Sequence, residues 1–204
     1  MVANPVLSKT PEELHSAETQ PVEEFHETPI QKSEVLSLEE FMLHPPERME
    51  WVDDKLVEKT GMTFKHGVAQ AKLAYYWRSY MNSSGQGGEV CTETLCRTGK
   101  QARRPDVAYI TAEVLGQVGE VTVFPQSFSL IAEVASPDDS AEDLFAKARE
   151  YLESGCQEIW LLFPEARLVL INAQQGWRLF NADEVVSTQA VLAGFTVAVN
   201  ELLT

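Results

Sequence analysis

Apolar positions along this chain follow two periods, and the change between them predicts where helices and strands lie. Apolar residues at helical spacing predict three helices, and short apolar runs bounded by turn residues predict strands. The predicted helices are 37–43, with Ser37 as its N-cap, 65–81 and about 140–153. The predicted strands are a hairpin of 49–52 and 55–58, followed by 90–95, 106–110, 128–134, 158–163, 167–171 and 177–180.

The order of these elements indicates an α/β fold in which helices flank a sheet. The connection from strand 128–134 through helix 140–153 to strand 158–163 is long enough for a right-handed crossover, so these two strands should be parallel. Residues 111–127 contain two Gly and one Pro and are expected to form a surface excursion.

The 204 residues are enough for one well-packed domain with some additional sequence. Residues 1–35 are rich in Glu, Pro, Thr and Ser and have little hydrophobic periodicity, which predicts a mobile or loosely attached tail before a domain over 36–204. No apolar run approaches the roughly 18 residues of a membrane span, and the N-terminus lacks a signal-peptide pattern. We therefore expect a cytoplasmic protein without a membrane partner, whose three Cys are reduced.

The formal net charge of −15 disfavours a nucleic-acid partner, because proteins that bind phosphates usually present a basic surface. Seven Glu against two Lys in residues 1–35 account for five of these charges. The remaining excess of acid predicts a weak or local contact with phosphate, or a different substrate.

A carboxylate inside an apolar strand is the most unusual feature of the chain. Glu133 lies in an apolar run over 130–134, where an ionised side chain is strongly disfavoured unless it is paired, protonated or bound to a metal. Asp106 stands at the start of another short apolar strand. If the two strands are neighbours, the two acids can meet at one end of the sheet. Such a pair suits Mg²⁺, which takes a few carboxylates together with water and substrate phosphate.

The residues around these acids resemble a known family. Pro105-Asp106 followed by Glu133 on the next strand resembles the PD-(D/E)XK restriction-endonuclease-like superfamily. The continuation is more specific and consists of Glu133 to Pro137, Asp143, Lys147, Glu150 to Leu152, Gly155 and Glu158 to Trp160, together with 50–67 and 194–203. These residues are similar to those of the Uma-two family of endonucleases, over roughly 36–204.

The resemblance implies a restriction-endonuclease-like α/β domain: a mixed sheet flanked by helices, with an additional N-terminal hairpin and C-terminal strands. It implies an endonuclease that hydrolyses phosphodiester bonds in DNA with Mg²⁺, and Mn²⁺ should be able to substitute. Asp106 and Glu133 would be catalytic and would bind the metal, which activates water and neutralises developing charge. A homodimer would suit cleavage of both strands of a duplex.

The lysine of the superfamily motif is missing from its usual place. It stands two residues after the acid, which is Ala135 here, and the resemblance implies that the helix residue Lys147 replaces it. At about 100° per residue, Lys147 lies at the border of an apolar helix stripe that contains Leu144 and Ala148. Its stem could then pack on the sheet while its ammonium reaches the strand ends. On the sequence alone, a solvated helix lysine is the simpler interpretation.

The remaining candidate residues come from the family resemblance and from a basic cluster in the sequence. The resemblance places an acid and a histidine near the cleft, here Glu58 and His66, as second-tier catalytic residues, although surface or capping roles would also explain them. The dense basic cluster before Asp106 is expected to contact nucleic-acid phosphates, with a solvated loop as the alternative. That cluster consists of Arg97, Lys100, Arg103 and Arg104.

Two other functions are alternatives to a DNA endonuclease. A catalytically impaired nuclease fold, retained as a binding or interaction module, would agree with the acidic charge and with Ala135. A metal-dependent hydrolase of another substrate has no residue pattern in its favour. Asp106 alone could also serve as an acceptor of backbone hydrogen bonds at a strand start. Metal binding separates nuclease from module, because a module need not keep a cation-binding acid pair.

Overall fold

The structure is a computed structural model that describes residues 36–60, 62–173 and 176–204. The tail predicted over 1–35 lies outside the described residues. The helices are α1 (Leu38–Leu43), α2 (Phe64–Ser84), α3 (Ala112–Val118), α4 (Ala141–Glu153) and α5 (Val199–Leu203). The strands are β1 (Met49–Val52), β2 (Lys55–Glu58), β3 (Glu89–Thr92), β4 (Cys96–Thr98), β5 (Gln101–Arg103), β6 (Val107–Ile110), β7 (Leu130–Val134), β8 (Glu158–Phe163), β9 (Leu168–Ala173), β10 (Gly176–Phe180), β11 (Val185–Ser187) and β12 (Thr196–Ala198).

A six-stranded sheet in the order β10-β9-β8-β7-β6-β3 is the centre of the domain. β7 and β8 are parallel, and the other neighbouring pairs are antiparallel. The predicted parallel pairing of the strands on either side of α4 is therefore confirmed. A mixed sheet with helices against it is the fold class that the sequence predicts.

The two faces of β7 belong to two apolar clusters, which explains why the whole strand is buried. Leu130, Ala132 and Val134 pack in the cluster that includes the buried residues of α2. Ile131 lies on the opposite face, in the cluster that includes the buried residues of α4. Glu133 shares this second face with Ile131 because side chains alternate along a strand, so α4 is the helix that lies above it.

A smaller sheet in the order β2-β1-β5-β4 carries further polar residues to the end of the main sheet. Its core contains Phe41 of α1, Trp51 of β1 and Ala102 of β5. α1 begins as predicted, because the Ser37 side chain and the Glu40 side chain each accept a hydrogen bond from the other residue's backbone N–H in a capping box. The predicted hairpin is present as β1 and β2.

Several short elements differ from the sequence prediction. The segment 111–127 contains the helix α3, a seven-residue element with no fully buried residue, whose apolar residues Val114, Leu115 and Val118 pack against the edge of the core. β4 and β5 are three residues each, which is too short to show alternation. The C-terminal β11–β12 pair and α5 were likewise missed. Among the described residues, no helix is long and apolar enough to cross a membrane.

Candidate active site

A cleft of about 230 Å³ opens where β6 and β7 meet the β1–β2 hairpin. We call it the acid–lysine cleft. Its walls carry all five residues that the sequence singles out for catalysis: Asp106, Glu133, Lys147, Glu58 and His66. The structure thus brings these candidates together, although Glu58 projects from β2 as an exposed side chain.

Strand pairing explains why Asp106 and Glu133 lie close together. β6 and β7 are antiparallel neighbours in which Val107 lies opposite Ala132. The next position along the register places Asp106 opposite Glu133. Both carboxylates are almost fully buried, with 1% and 3% of each residue exposed. Ionised carboxylates at this depth need partners, and each acid has its own set.

Asp106 is held by one lysine, one histidine and one backbone group. Lys59 Nζ lies 2.6 Å and His66 Nε2 3.2 Å from Oδ1, while the Val134 N–H donates to Oδ2 over 2.6 Å. Burial opposes ionisation, but the hydrogen bond with His66 and the charge of Lys59 outweigh it and hold the pKa of Asp106 below its usual range. His66 is itself oriented by Ser136, whose Oγ lies 3.1 Å from Nδ1. Asp106 is therefore an anion across the ordinary pH range.

His66 and Lys59 respond to Asp106 in the opposite sense. Burial favours the neutral imidazole, but the hydrogen bond to Asp106 raises the pKa of His66 above its ordinary value. Burial also favours the neutral amine of Lys59, but the charges of Asp106, Glu133 and Glu93 raise its pKa. Both groups therefore favour their charged forms beside Asp106.

Glu133 has weaker partners than Asp106. The Tyr151 hydroxyl donates to Oε1 over 2.8 Å, and Lys147 Nζ lies 3.4 Å from Oε2. Burial raises the pKa of Glu133 to about 7, the Lys147 charge opposes this rise, and Asp106 adds to it. The two acids of the cleft thus differ, since one is ionised and the other exchanges its proton near neutral pH.

Lys147 reaches the cleft from α4, as the position at the border of the helix stripe predicts. Its ammonium lies between Glu133 and Glu50, 3.8 Å from Glu50 Oε1, and its side chain is 20% exposed. Burial favours the neutral amine, but the charges of these two acids raise the pKa of Lys147. The residue is therefore a partly buried cation and not a solvated surface lysine.

Lys59 is a cleft residue that sequence reasoning missed. Its Nζ contacts Asp106, Glu93 at 2.9 Å and the backbone oxygen of Arg104 at 2.7 Å. The signal was strand alternation, because Glu58 and Lys59 are successive residues at the end of β2 and point to opposite sides. The acid faces solvent and the lysine faces Asp106.

The four basic residues before Asp106 do not form one surface, because their side chains contact different parts of the protein. Arg103 forms hydrogen bonds from Nε and Nη2 to Glu150 on α4, and its Nη1 lies 3.2 Å from Glu50. Arg97 pairs with Glu39 and, with Lys100, lines a separate surface depression. The side chain of Arg104 donates to backbone oxygens. Arg103 thus links β5 to the helix that carries Lys147.

The donor set of the cleft fits a hard divalent cation with few protein ligands. Among the described residues, no group of three or more His, Cys, Asp and Glu is arranged to hold a metal ion. Mg²⁺ commonly uses only one or two carboxylates and completes its octahedron with water and substrate phosphate. The buried pair of Asp106 and Glu133 meets that requirement. A bound cation would compete there with the ammonium groups of Lys59 and Lys147.

The shifted pKa of Glu133 predicts how stability depends on pH. In the native state Glu133 keeps its proton up to about pH 7, whereas in an unfolded chain it loses the proton at the ordinary pKa of a glutamate. Glu133 therefore stabilises the fold at low pH and loses that contribution as the pH rises through 7. With a chelator present, Glu133→Gln should match wild type at pH 5 and exceed it by about 2–3 kcal/mol at pH 8.5. Urea unfolding at the two pH values measures this difference. A constant difference would contradict the assignment.

In comparisons with known proteins, the first solved structure named below has a similar fold, with a TM-score of 0.73. The model of the family described as "Uma2: Putative restriction endonuclease" matches residues 23–200. A crystal structure of a putative nuclease belonging to DUF820 from Anabaena variabilis ATCC 29413 matches with a TM-score of 0.73 and 22% identity, over 82% of this chain and 97% of that one. The cryoEM structure of a DrdV–DNA complex matches with a TM-score of 0.33 and 15% identity, over 53% of this chain and 10% of that one. No curated protein matches.

Proposed function

Because the chain belongs to the Uma2 family of putative restriction endonucleases, we propose that it is a Mg²⁺-dependent endonuclease that hydrolyses phosphodiester bonds in DNA at the acid–lysine cleft. One observation carries the proposal. Two buried carboxylates on adjacent strand ends face one cleft, and each has a lysine beside it. Burying ionisable groups in this way costs desolvation free energy and adds little to the stability of a fold. The arrangement therefore favours a functional role for the two acids.

In this proposal Asp106 and Glu133 hold the metal, and Mn²⁺ can replace Mg²⁺. The bound cation would supply an activated water and neutralise charge that develops on the phosphate. The two ring nitrogens of His66 contact Ser136 and Asp106. Because Ser136 holds the imidazole in place, His66 is proposed to orient the Asp106 carboxylate and not to react itself. Tyr151 similarly fixes one oxygen of Glu133. The remaining acid, Glu58, lies at the exposed rim of the cleft and is proposed as a second-tier catalytic residue.

Lys147 is proposed as the residue that takes the place of the missing strand lysine. Its ammonium lies beside Glu133, where it can orient the attacking water or stabilise the transition state. Glu50 faces the same ammonium, and Arg103 ties Glu50 to α4 through Glu150. Arg103 is therefore proposed as a positioning residue. Arg97, Lys100 and Arg104 are proposed to contact the DNA backbone outside the cleft, and a homodimer would allow both strands to be cut.

The rival function is a nuclease fold that binds without cutting. It is favoured by one observation: Asp106 is already satisfied by Lys59, His66 and the Val134 N–H, so that a metal must displace an existing partner. Nicking of a supercoiled plasmid separates the two functions. The proposal requires nicked circles with Mg²⁺ or Mn²⁺ and none with EDTA, and intact plasmid under all conditions would leave the binding module.

Replacing Lys147 with Met should lower the rate of plasmid nicking by about 100-fold, because an ammonium that acts on the water or the transition state is lost. Binding of a DNA duplex in EDTA should be unchanged. Arg149→Met, on the exposed side of the same helix, removes the same charge and serves as the control. Equal rates for the two variants would show that Lys147 is a structural cation.

A further inference from the structure

A second cavity adjoins the acid–lysine cleft and differs from it in charge. It has a volume of about 240 Å³ and is lined by Arg48, Lys59, Met62, Glu93 and Arg104. We call it the arginine pocket. Lys59 and Met62 line both cavities, so the arginine pocket lies beside the cleft with Lys59 in the wall between them.

The guanidinium of Arg104 is fixed in place without being neutralised. Its Nε donates to the Met49 oxygen over 3.0 Å, Nη1 to the Glu93 oxygen over 3.1 Å and Nη2 to the Pro46 oxygen over 3.4 Å. All three acceptors are backbone carbonyls. Arg104 forms no ion pair with a carboxylate in the described part of the chain, and its side chain lines the pocket.

Arg48 adds a second uncompensated charge. Its Nη2 donates to the Lys59 backbone oxygen over 3.1 Å, which leaves most of its five N–H groups without a protein acceptor among the described residues. It has no carboxylate partner there either. By contrast, the guanidinium of Arg103 forms ion pairs with both Glu50 and Glu150.

The acid of the arginine pocket is already paired. The Glu93 carboxylate lies 2.9 Å from Lys59 Nζ and accepts a hydrogen bond from Gln70 Nε2 over 2.9 Å. Lys59 also serves Asp106, so its charge is shared between two acids. Once the charges of Lys59 and these acids are paired, the guanidinium groups of Arg48 and Arg104 are left without a carboxylate partner among the described residues. They give this pocket a positive character in a chain with a net charge of −15.

The β1–β2 hairpin fixes the pocket relative to the cleft. Beyond the last register pair, Met49 opposite Glu58, the Lys59 N–H donates to the Arg48 oxygen over 2.8 Å. Arg48 and Lys59 therefore face each other across the open end of the hairpin. One hairpin therefore positions both the lysine that contacts Asp106 and the arginine that lines the neighbouring pocket.

We propose that the arginine pocket binds a backbone phosphate of the nucleic acid next to the phosphate that is cut. This rests on the proposed function of the cleft. The guanidinium groups of Arg48 and Arg104 line one pocket, and a guanidinium presents N–H donors in a fork that suits phosphate oxygens. A phosphate held there would fix the register of the strand relative to Asp106 and Glu133. It would also explain how an acidic protein holds a polyanion, since the contact is local.

The test is the binding of a fluorescent DNA duplex in EDTA, measured by anisotropy over a range of KCl concentrations. Arg48→Ala should weaken binding about tenfold and reduce the slope of log K against log salt by about 1. Arg178→Ala removes the same charge from an exposed residue of β10 and is the control. Equal effects of the two variants would overturn the inference. Arg104 is left intact because its bonds support the backbone.

A scan of the duplex with single methylphosphonates locates the contact. Neutralising one phosphate should weaken binding by wild type and leave binding by Arg48→Ala unchanged. A titration with inorganic phosphate distinguishes a free anion from a backbone phosphate. If Arg48 matters for inorganic phosphate but no position of the duplex depends on it, the assignment to the substrate is overturned.

These measurements do not require catalysis, so the two claims fail separately. Wild type that nicks plasmid while Arg48→Ala binds like the control would overturn the arginine pocket and leave the endonuclease standing. Wild type that binds through Arg48 but never nicks would uphold the pocket and overturn the hydrolysis. Wild type that binds no duplex would overturn the pocket as a substrate site.

Discussion

Glu133→Gln is expected to reduce metal-dependent cleavage at least about 1,000-fold while the protein stays folded. The amide keeps the size of the carboxyl and can still bond with the Tyr151 hydroxyl, but it cannot supply the negative oxygen that a Mg²⁺ ligand requires. Because Glu133 is a buried carboxyl without a strong cationic partner, its replacement should not lower stability at neutral pH. Initial rates of plasmid nicking and a urea unfolding curve on the same sample measure both effects.

Glu142→Gln is the matched control for this variant, since Glu142 is an exposed carboxylate near the start of α4, the helix that lies above Glu133. It should nick at the wild-type rate. A Glu133→Gln protein that cuts as fast as this control would remove Glu133 from the mechanism. A variant that unfolds would instead show that the carboxyl has a structural role that the contacts of Glu133 do not suggest.

Asp106→Ala is expected to abolish cleavage and to destabilise the fold by about 3–5 kcal/mol, the usual cost of removing one partner of a buried ion pair. The substitution leaves Lys59 and His66 without their shared carboxylate and the Val134 N–H without its acceptor. Chemical unfolding at pH 7 measures the loss. The much larger effect of Asp106 than of Glu133 on stability follows from their different partners.

A second substitution tests the cause of that loss. In the Asp106→Ala background, Lys59→Met removes the ammonium that has lost its main partner, so the double variant should recover part of the stability. The same Lys59→Met change in wild type should be destabilising, because Asp106 then loses a partner. A double variant no more stable than Asp106→Ala would show that Lys59 is satisfied by Glu93 alone.

The sequence was sufficient for the parts of the cleft that local periodicity controls. A charged residue inside the run 130–134 marks Glu133 because β7 is buried on both faces, and a crossover of fixed handedness brings α4 above it. The helix period then places Lys147 on the side of α4 that borders the sheet. These steps need only strand alternation, helix spacing and one chirality rule.

The parts that sequence reasoning missed depend on how the smaller sheet meets the larger one. β5 pairs with β1 through one register pair, Trp51 opposite Ala102, and no local pattern predicts it. That pairing brings Glu50 to Arg103 and to Lys147. It also separates two successive arginines, because Arg103 points to acids while Arg104 opens into the arginine pocket. A basic cluster in sequence is thus several environments in space.

The most direct test of the endonuclease is a calorimetric titration of Mg²⁺ and Mn²⁺ into wild type and Glu133→Gln at pH 6 and pH 8, with plasmid nicking on the same samples. The account predicts one divalent site in wild type that tightens from pH 6 to pH 8, because the cation competes with the Glu133 proton, and nicking that appears with it. Both should be lost in Glu133→Gln. Absent metal binding in wild type, or equal binding by the two proteins, would contradict a metal site at Asp106 and Glu133.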